Sequence, residues 1–229
     1  MAFTKLSNSK FKSKLINYAN DYGNFSNTAT GFFLDNGKNY KYIRFISGGT
    51  FTATKSGLFD ILVVGAGGGG AGPTSSHRAG GGAGAVRFGT YYLTTGATTI
   101  TVGSGGSGIS QINASTGNVS SFGTLIISGG GTGASGFNNA IGDQGNSGTT
   151  NGGGSAGYHC SSSSGTRPGG GAGGLVNNYD GLTLNFTGTS VEYGKGGMTT
   201  ADGSANTGGG GGYQGYNGGS GVVIVKVQI

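Results

Sequence analysis

The chain has 229 residues, a net charge of +6 and only 9% charged residues, while glycine fills 57 positions against a usual share of roughly 7%. That length suffices for one domain with its own core. Two prolines and glycines that run together, as at 67–70, exclude the collagen triplet, and apolar runs such as ILVV (61–64), LII (125–127) and VVIV (222–225) argue against a disordered linker.

In chain order, residues 1–30 are polar with scattered Phe and Tyr, and at most a short helix is expected around residues 10–20. Lys5, Lys10, Lys12, Lys14, Lys38, Lys41, Arg44 and Lys55 against Asp21 and Asp35 make residues 1–55 carry the whole net charge, so the glycine-rich remainder is neutral. The basic residues are too dispersed for a nucleic-acid tail, and no nucleic-acid partner is expected. MAFTKLSNSKFKSKL has no apolar h-region, and no run is long and apolar enough to span a bilayer, so neither a secretory signal nor membrane insertion is expected. Residues 1–39 read as an attachment and assembly segment, and residues 40–229 as one glycine-rich domain.

From Tyr40 a local grammar recurs. YKYIRFISGG (40–49), FDILVVGAGGGG (59–70), TTITVGSGG (98–106) and GTLIISGGG (123–131) each run from β-type residues into glycine, and GGSGVVIVKVQI (218–229) reverses the order. In this last segment Val223, Val225, Val227 and Ile229 share one face, and Val222, Ile224, Lys226 and Gln228 the other, which predicts one face on a core and one partly exposed. Further tracts at 129–133, 152–157, 165–174, 194–197, 208–212 and 218–221 are separated by linkers rich in aromatic residues. Phe122, Phe137 and Phe186 read as core.

The stretch DILVVGAGGGGAG (60–72) contains G-x-G-x-x-G after a strand. A dinucleotide site also needs a helix directly after the glycines and an acid about 20 residues on. Here PTSSHRAGGG follows and no acid lies near 86–90, so the match is a by-product of composition. No cofactor is expected. His159 and Cys160 are adjacent, a poor geometry for a catalytic dyad, and two histidines with one cysteine fall short of a zinc site. No catalytic or metal residues are assigned, and the protein does not read as an enzyme.

Glycine is therefore building material. Each ordered glycine costs about 0.5–1 kcal/mol relative to alanine, which only something unique to glycine can offset. Polyproline-II-type helices have three residues per turn and no internal hydrogen bonds. Without side chains they can lie flank to flank and bond to one another. A six-residue tract would span roughly 19 Å. The expected fold is all-β: a jelly-roll-like β-sandwich with a docked bundle of polyglycine-II helices and little or no α-helix.

The ordered series ILVVGAGGGGAG (61–72), GGGAGAVRFG (80–89), TITVGSGG (99–106) and NGGSGVVIVKV (217–227) is similar to the glycine-rich domain of bacteriophage tail fibres and tail-tip adhesins. It also resembles the glycine-rich ectodomain of certain animal receptor kinases. The phage resemblance implies packed polyglycine-II helices whose end loops contact a host surface, in a virion protein that acts outside the cell. The implied partners are a host receptor, glycan or outer-membrane protein, other tail proteins bound through the N-terminal segment, and further copies of the chain, for instance in a trimer. Tyrosine offers rigid amphipathic contact area in recognition loops. Tyr158, His159, Tyr213 and Tyr216, in short polar linkers between glycine tracts, are the expected receptor-binding residues. The alternatives are a purely structural subunit of a self-assembling filament or capsid fibre and, from the T-F-T-A-T run at 50–54, an ice-binding protein.

Overall fold

A computed structural model describes residues 21–72, 78–110, 114–134, 166–167, 171–172, 179–198 and 200–229. The helix expected around 10–20, Phe137, the tract at 152–157 and most of that at 165–174 lie outside these residues. Among the described residues every regular element is a strand: β1 (Asn24–Phe25), β2 (Gly31–Asp35), β3 (Lys38–Phe45), β4 (Gly49–Lys55), β5 (Gly57–Val64), β6 (Arg78–Ala79), β7 (Val86–Leu93), β8 (Gly96–Thr101), β9 (Ser120–Phe122), β10 (Ile126–Ser128), β11 (Thr166–Arg167), β12 (Leu182–Leu184), β13 (Val191–Tyr193) and β14 (Val222–Gln228).

Two five-stranded antiparallel sheets face each other, in the orders β2-β3-β14-β5-β7 and β1-β4-β8-β9-β10. Alternation drives this pairing. Ile43, Phe59, Ile61, Val63, Val223, Val225 and Val227 from the first sheet meet Phe25, Phe51, Ala53, Ile100, Phe122 and Ile126 from the second in one buried cluster. Phe51 is its hub, with ring centroids 5.5 Å from Phe25, 5.6 Å from Phe59 and 5.5 Å from Phe122.

The expected boundary at residue 39 falls inside the β2–β3 hairpin, where Asp35 pairs with Lys38. Residues 24–39 supply strands to both sheets, and Phe25 is buried. A truncation that spares the sandwich must therefore stop at residue 20.

One face of β14 lies wholly in the core and the other is exposed only towards its end, as the alternation predicts; near the glycine body both faces are covered. Val222 and Ile224, with Leu62, Val64 and Val86, pack under Phe186 and Tyr193 of the β12–β13 hairpin. Only Lys226 and Gln228 begin to emerge. The Lys226 ammonium lies 4.8 Å from the Phe186 ring centroid, 5.0 Å from that of Tyr40 and 3.8 Å from Asp60 Oδ2, and so fastens the hairpin to the sheet. Phe122 and Phe186 are buried, as their placement in the sequence suggests.

The glycine tracts continue the strands. Residues 65–72 prolong β5, residues 103–109 prolong β8 and residues 129–134 prolong β10; residues 80–85, 114–119 and 216–221 lead into β7, β9 and β14. Their hydrogen bonds repeat every third residue, the period of a polyproline-II helix. Gly65, Gly68 and Ala71 donate to the carbonyls of Ala85, Gly82 and Ala79; Ala66 and Gly69 donate to Asn118 and Ser115; Gly67 and Gly70 donate to Gly219 and Tyr216. In return Gly106 and Ile109 donate to Gly67 and Gly70, Gly131 and Ala134 donate to Ala66 and Gly69, and Gly211 donates to Gly68. Tract 65–72 is thus enclosed by tracts 79–85, 114–118 and 216–219, which run against it and mainly accept its bonds, and by tracts 106–109, 131–134 and 208–212, which run with it and mainly donate to it; at the far end Ala79 also donates to Ala71 and Ile109 also accepts from Gly72. The surrounding tracts also bond to one another around the ring, for example Gly81 to Gly211, Gly219 to Gly209, Gly218 to Gly106, Asn118 to Ser104, Gly117 to Gly131 and Gly82 to Thr132.

This is a hexagonally packed polyglycine-II bundle in line with the sandwich. A Cβ added at Gly67, Gly68, Gly69 or Gly70 would meet neighbouring backbone at under 3.0 Å. Where strands give way to glycine, buried serines join the two bonding patterns: Ser120 Oγ accepts from the Gly103 N–H at 3.0 Å, and Ser128 Oγ donates to the Ala85 carbonyl at 2.6 Å.

Gly68→Ala, whose methyl would face the Thr132 carbonyl, is expected to destabilise the protein by about 3 kcal/mol, whereas Ala66→Gly should cost only about 0.5–1 kcal/mol; urea unfolding of the two variants measures the difference. Burial pushes the Tyr193 phenol above its ordinary pKa of 10.0. The unfolded chain therefore loses this proton first, and the stabilisation, complete below pH 10, falls as pH rises through the folded-state value. Tyr193→Phe should remove that part of the alkaline loss in a pH series of thermal melts.

Candidate functional site: the far end of the glycine bundle

The sandwich and the bundle together give the molecule two ends. β5 spans about 26 Å at roughly 3.3 Å per residue, and residues 65–72 add about 25 Å at 3.1 Å per residue. At the near end the chain enters the described fold at Asp21, whose carbonyl accepts the Leu58 N–H at 2.8 Å at the start of β5. At the far end the glycine tracts reverse.

Four observations assemble the far end. Residues 208–212 rise beside the central tract, turn over Tyr213, Gln214 and Gly215, and descend as residues 216–221 into β14. Residues 194–197 rise and residues 201–204 return alongside, with Gly212 donating to Ala201 and Gly203 to Asn217. Tract 103–109 ends at Ile109, which exchanges backbone bonds with Gly70 and Gly72. Ala134 closes tract 129–134 on Gly69, and Thr166 of β11 pairs with Arg78 of β6, next to the Ala71–Ala79 bridge. The described chain therefore stops at Ala134 and resumes at Thr166 at this same end.

Tyr213 and Tyr216 flank the 213–215 turn and are half-buried. The turn is strained at Gln214, a non-glycine residue with φ 78°, whereas Gly215 takes its φ of 90° freely. It is also pinned. The Tyr216 carbonyl accepts the Gly70 N–H at 2.8 Å, Asn217 Oδ1 accepts the Gly108 N–H at 3.0 Å, and Asp202 Oδ1 accepts the Asn217 N–H at 2.8 Å. Strain held by surrounding bonds is a common property of binding turns. Tyr158 and His159 lie outside the described residues, as does Cys160. The structure thus brings Tyr213 and Tyr216 together and adds Ile109, Met198 and Gln214, which the sequence reading missed. Ile109 and Met198 are 43% and 36% exposed. The Gln214-Gly215 pair between two glycine tracts was a readable turn signal; isolated apolar residues give none.

The turn and its neighbours offer aromatic, amide and aliphatic groups beside Asp202, while Arg78 of β6 and Arg167 of β11 belong to the same end. No cluster of three or more His, Cys, Asp or Glu residues that could hold a metal occurs among the described residues. An open groove of about 550 Å³ near the other end of the sandwich, lined by Thr98, Thr99, Thr101, Ser121, Thr124 and Leu125 among others, has no charged side chain.

A family model described as a glycine-rich domain matches residues 46–228. The chain belongs to this glycine-rich domain family. The match runs from the end of β3 to the end of β14, and so takes in the whole bundle. No curated protein matches the chain.

Gln214→Gly should relieve the left-handed strain and raise stability by up to about 1 kcal/mol, seen as a higher melting temperature with an unchanged circular dichroism spectrum.

Proposed function

We propose that this glycine-rich protein is a virion component, a phage tail-fibre or tail-tip adhesin, that binds a host-surface receptor non-covalently through the far end of its bundle. The observation that carries this reading is the separation of its two ends. Residues 1–20 join the fold at Asp21, while the 213–215 turn, Ile109 and Met198 belong to the opposite end. One end is suited to assembly with other tail proteins and the other to recognition. A hydrogen-bonded bundle holds its turns in fixed relative positions, so loop ordering costs less on binding. The Tyr- and Asn-bearing turn suits a glycan or the loops of an outer-membrane protein, which aromatic and amide groups can read. The strength of such binding resides in aromatic anchors.

Antibody against this chain, viewed by electron microscopy, should mark the tail tip of the particle; label along an open filament, or on no particle, rejects the reading. Tyr213→Ala with Tyr216→Ala should lower adsorption to host cells about tenfold or more while the fold is retained, and so should Tyr158→Ala with His159→Ala. Removal of residues 1–20 should leave a folded protein that no longer incorporates into particles.

A further inference from the structure

β2 is an edge strand whose outer side is open. Asn36 and Gly37, with φ 49° and 76°, close the β2–β3 hairpin in a two-residue turn. In that register Gly31, Phe33 and Asp35 bond to β3, and the backbone groups of Phe32 and Leu34 point away from the sheet. Neither has a hydrogen-bond partner among the described residues. Their side chains, each 67% exposed, are the most exposed large apolar groups among the described residues, and Ile229, on the same face, is 61% exposed. β1 is two residues long and covers the sheet only as far as Lys41, whose ammonium lies 4.1 Å from the Phe25 ring centroid. Soluble proteins blunt such edges with lysine, proline, bulges or very short strands. β1 and β10 are two and three residues long, and β7 carries Arg87; β2, with the sequence GFFLD in an unbroken register, has none of these devices.

We propose that β2 is the seam of a twofold homodimer, paired antiparallel with β2 of a second copy and centred on Phe33. This register sets Phe32 against Leu34 of the partner subunit, and the reverse, so the open backbone groups bond and the apolar side chains pair. It also sets Gly31 against Asp35 of the partner subunit. The Tyr42 ring lies over Gly31, where an added Cβ would come within 2.7 Å of the phenol oxygen. That hydroxyl has no hydrogen-bond partner among the described residues, and Asp35 of the partner subunit supplies the acceptor. Asp35 is the one charged residue of β2, so no like charges oppose. An unrelated strand would need a carboxylate directly after its second outward apolar residue; a second copy provides it by symmetry. Because the paired strands run in opposite directions, the two bundles point apart and the two entry points at Asp21 lie towards the middle. The proposal does not depend on the adhesin reading.

Sedimentation or light scattering of the full chain over a concentration series tests it. The wild-type protein should reach twice the monomer mass. Phe32→Lys with Leu34→Lys, both at exposed positions, should remain monomeric with unchanged circular dichroism, and Tyr42→Phe should need several-fold higher concentration to dimerise. A wild-type chain that stays monomeric at its highest soluble concentration, a trimer, or a dimer that survives the double lysine variant overturns the seam; an unchanged Tyr42→Phe dimer overturns the register.

Discussion

The absence of a β-carbon at positions such as Gly67 to Gly70 is the constraint on which the rest of the molecule depends. It lets backbones approach until each peptide group of residues 65–72 bonds to a neighbouring tract, with three tracts mainly accepting and three mainly donating. A buried peptide group without a partner costs about 1–3 kcal/mol, so a lattice of bare backbones holds only if nearly every group is matched. The regular three-residue repeat achieves this matching without any side chain. It also explains why the bundle tolerates so little charge. Bonds that would normally be satisfied inside a helix or between strands are here spread over six neighbours, and no room is left to solvate an ion.

Such a lattice does not organise itself from glycine alone, because one glycine tract is indistinguishable from another. The sandwich supplies the addresses. Each strand fixes the lateral position and direction of the tract that continues it, and the alternating directions around the central tract follow from the antiparallel sheets. Ser120 and Ser128 sit where one bonding pattern hands over to the other. The aromatic hub at Phe51 and the apolar rows of β5 and β14 therefore support the far-end turns indirectly: they place the tracts whose ends those turns connect.

Much of this was legible in the sequence. The strands β3, β5, β8 and β10 carry β-branched and aromatic residues in runs that stop at glycine, β14 starts from glycine, and the all-β class with polyglycine-II helices follows from the physical need to offset the cost of glycine. The arrangement was less legible. The tracts that drew most notice lie in the second half, whereas the centre of the lattice is GAGGGGAG at 65–72, the same stretch whose spacing mimics a nucleotide-binding loop. Its central place is set by the pairing of β5 with β14, more than 150 residues away, which local pattern cannot reveal. β7 was hidden by Gly89 within its run, and β12 and β13 by their length of three residues. At the far end, Tyr213 and Tyr216 stood out because they interrupt glycine; Ile109 and Met198 did not, because a single apolar residue has no period.

The position of β14 has a consequence for biogenesis. This strand inserts between β3 and β5, and the residues just before it complete the ring around the central tract. A nascent chain on the ribosome can thus form neither the middle of the first sheet nor the closed lattice until residue 228 has been made. Up to then Gly67 and Gly70 lack their acceptors at Gly219 and Tyr216, and β3 and β5 each lack the neighbour that β14 becomes. Contacts of such long sequence separation are slow to form and leave strand edges open to the wrong chain. Synthesis should therefore be sensitive to crowding among nascent copies, and a folding helper that shields the β14-facing edge of β5 during translation would cover the edge that stays open longest.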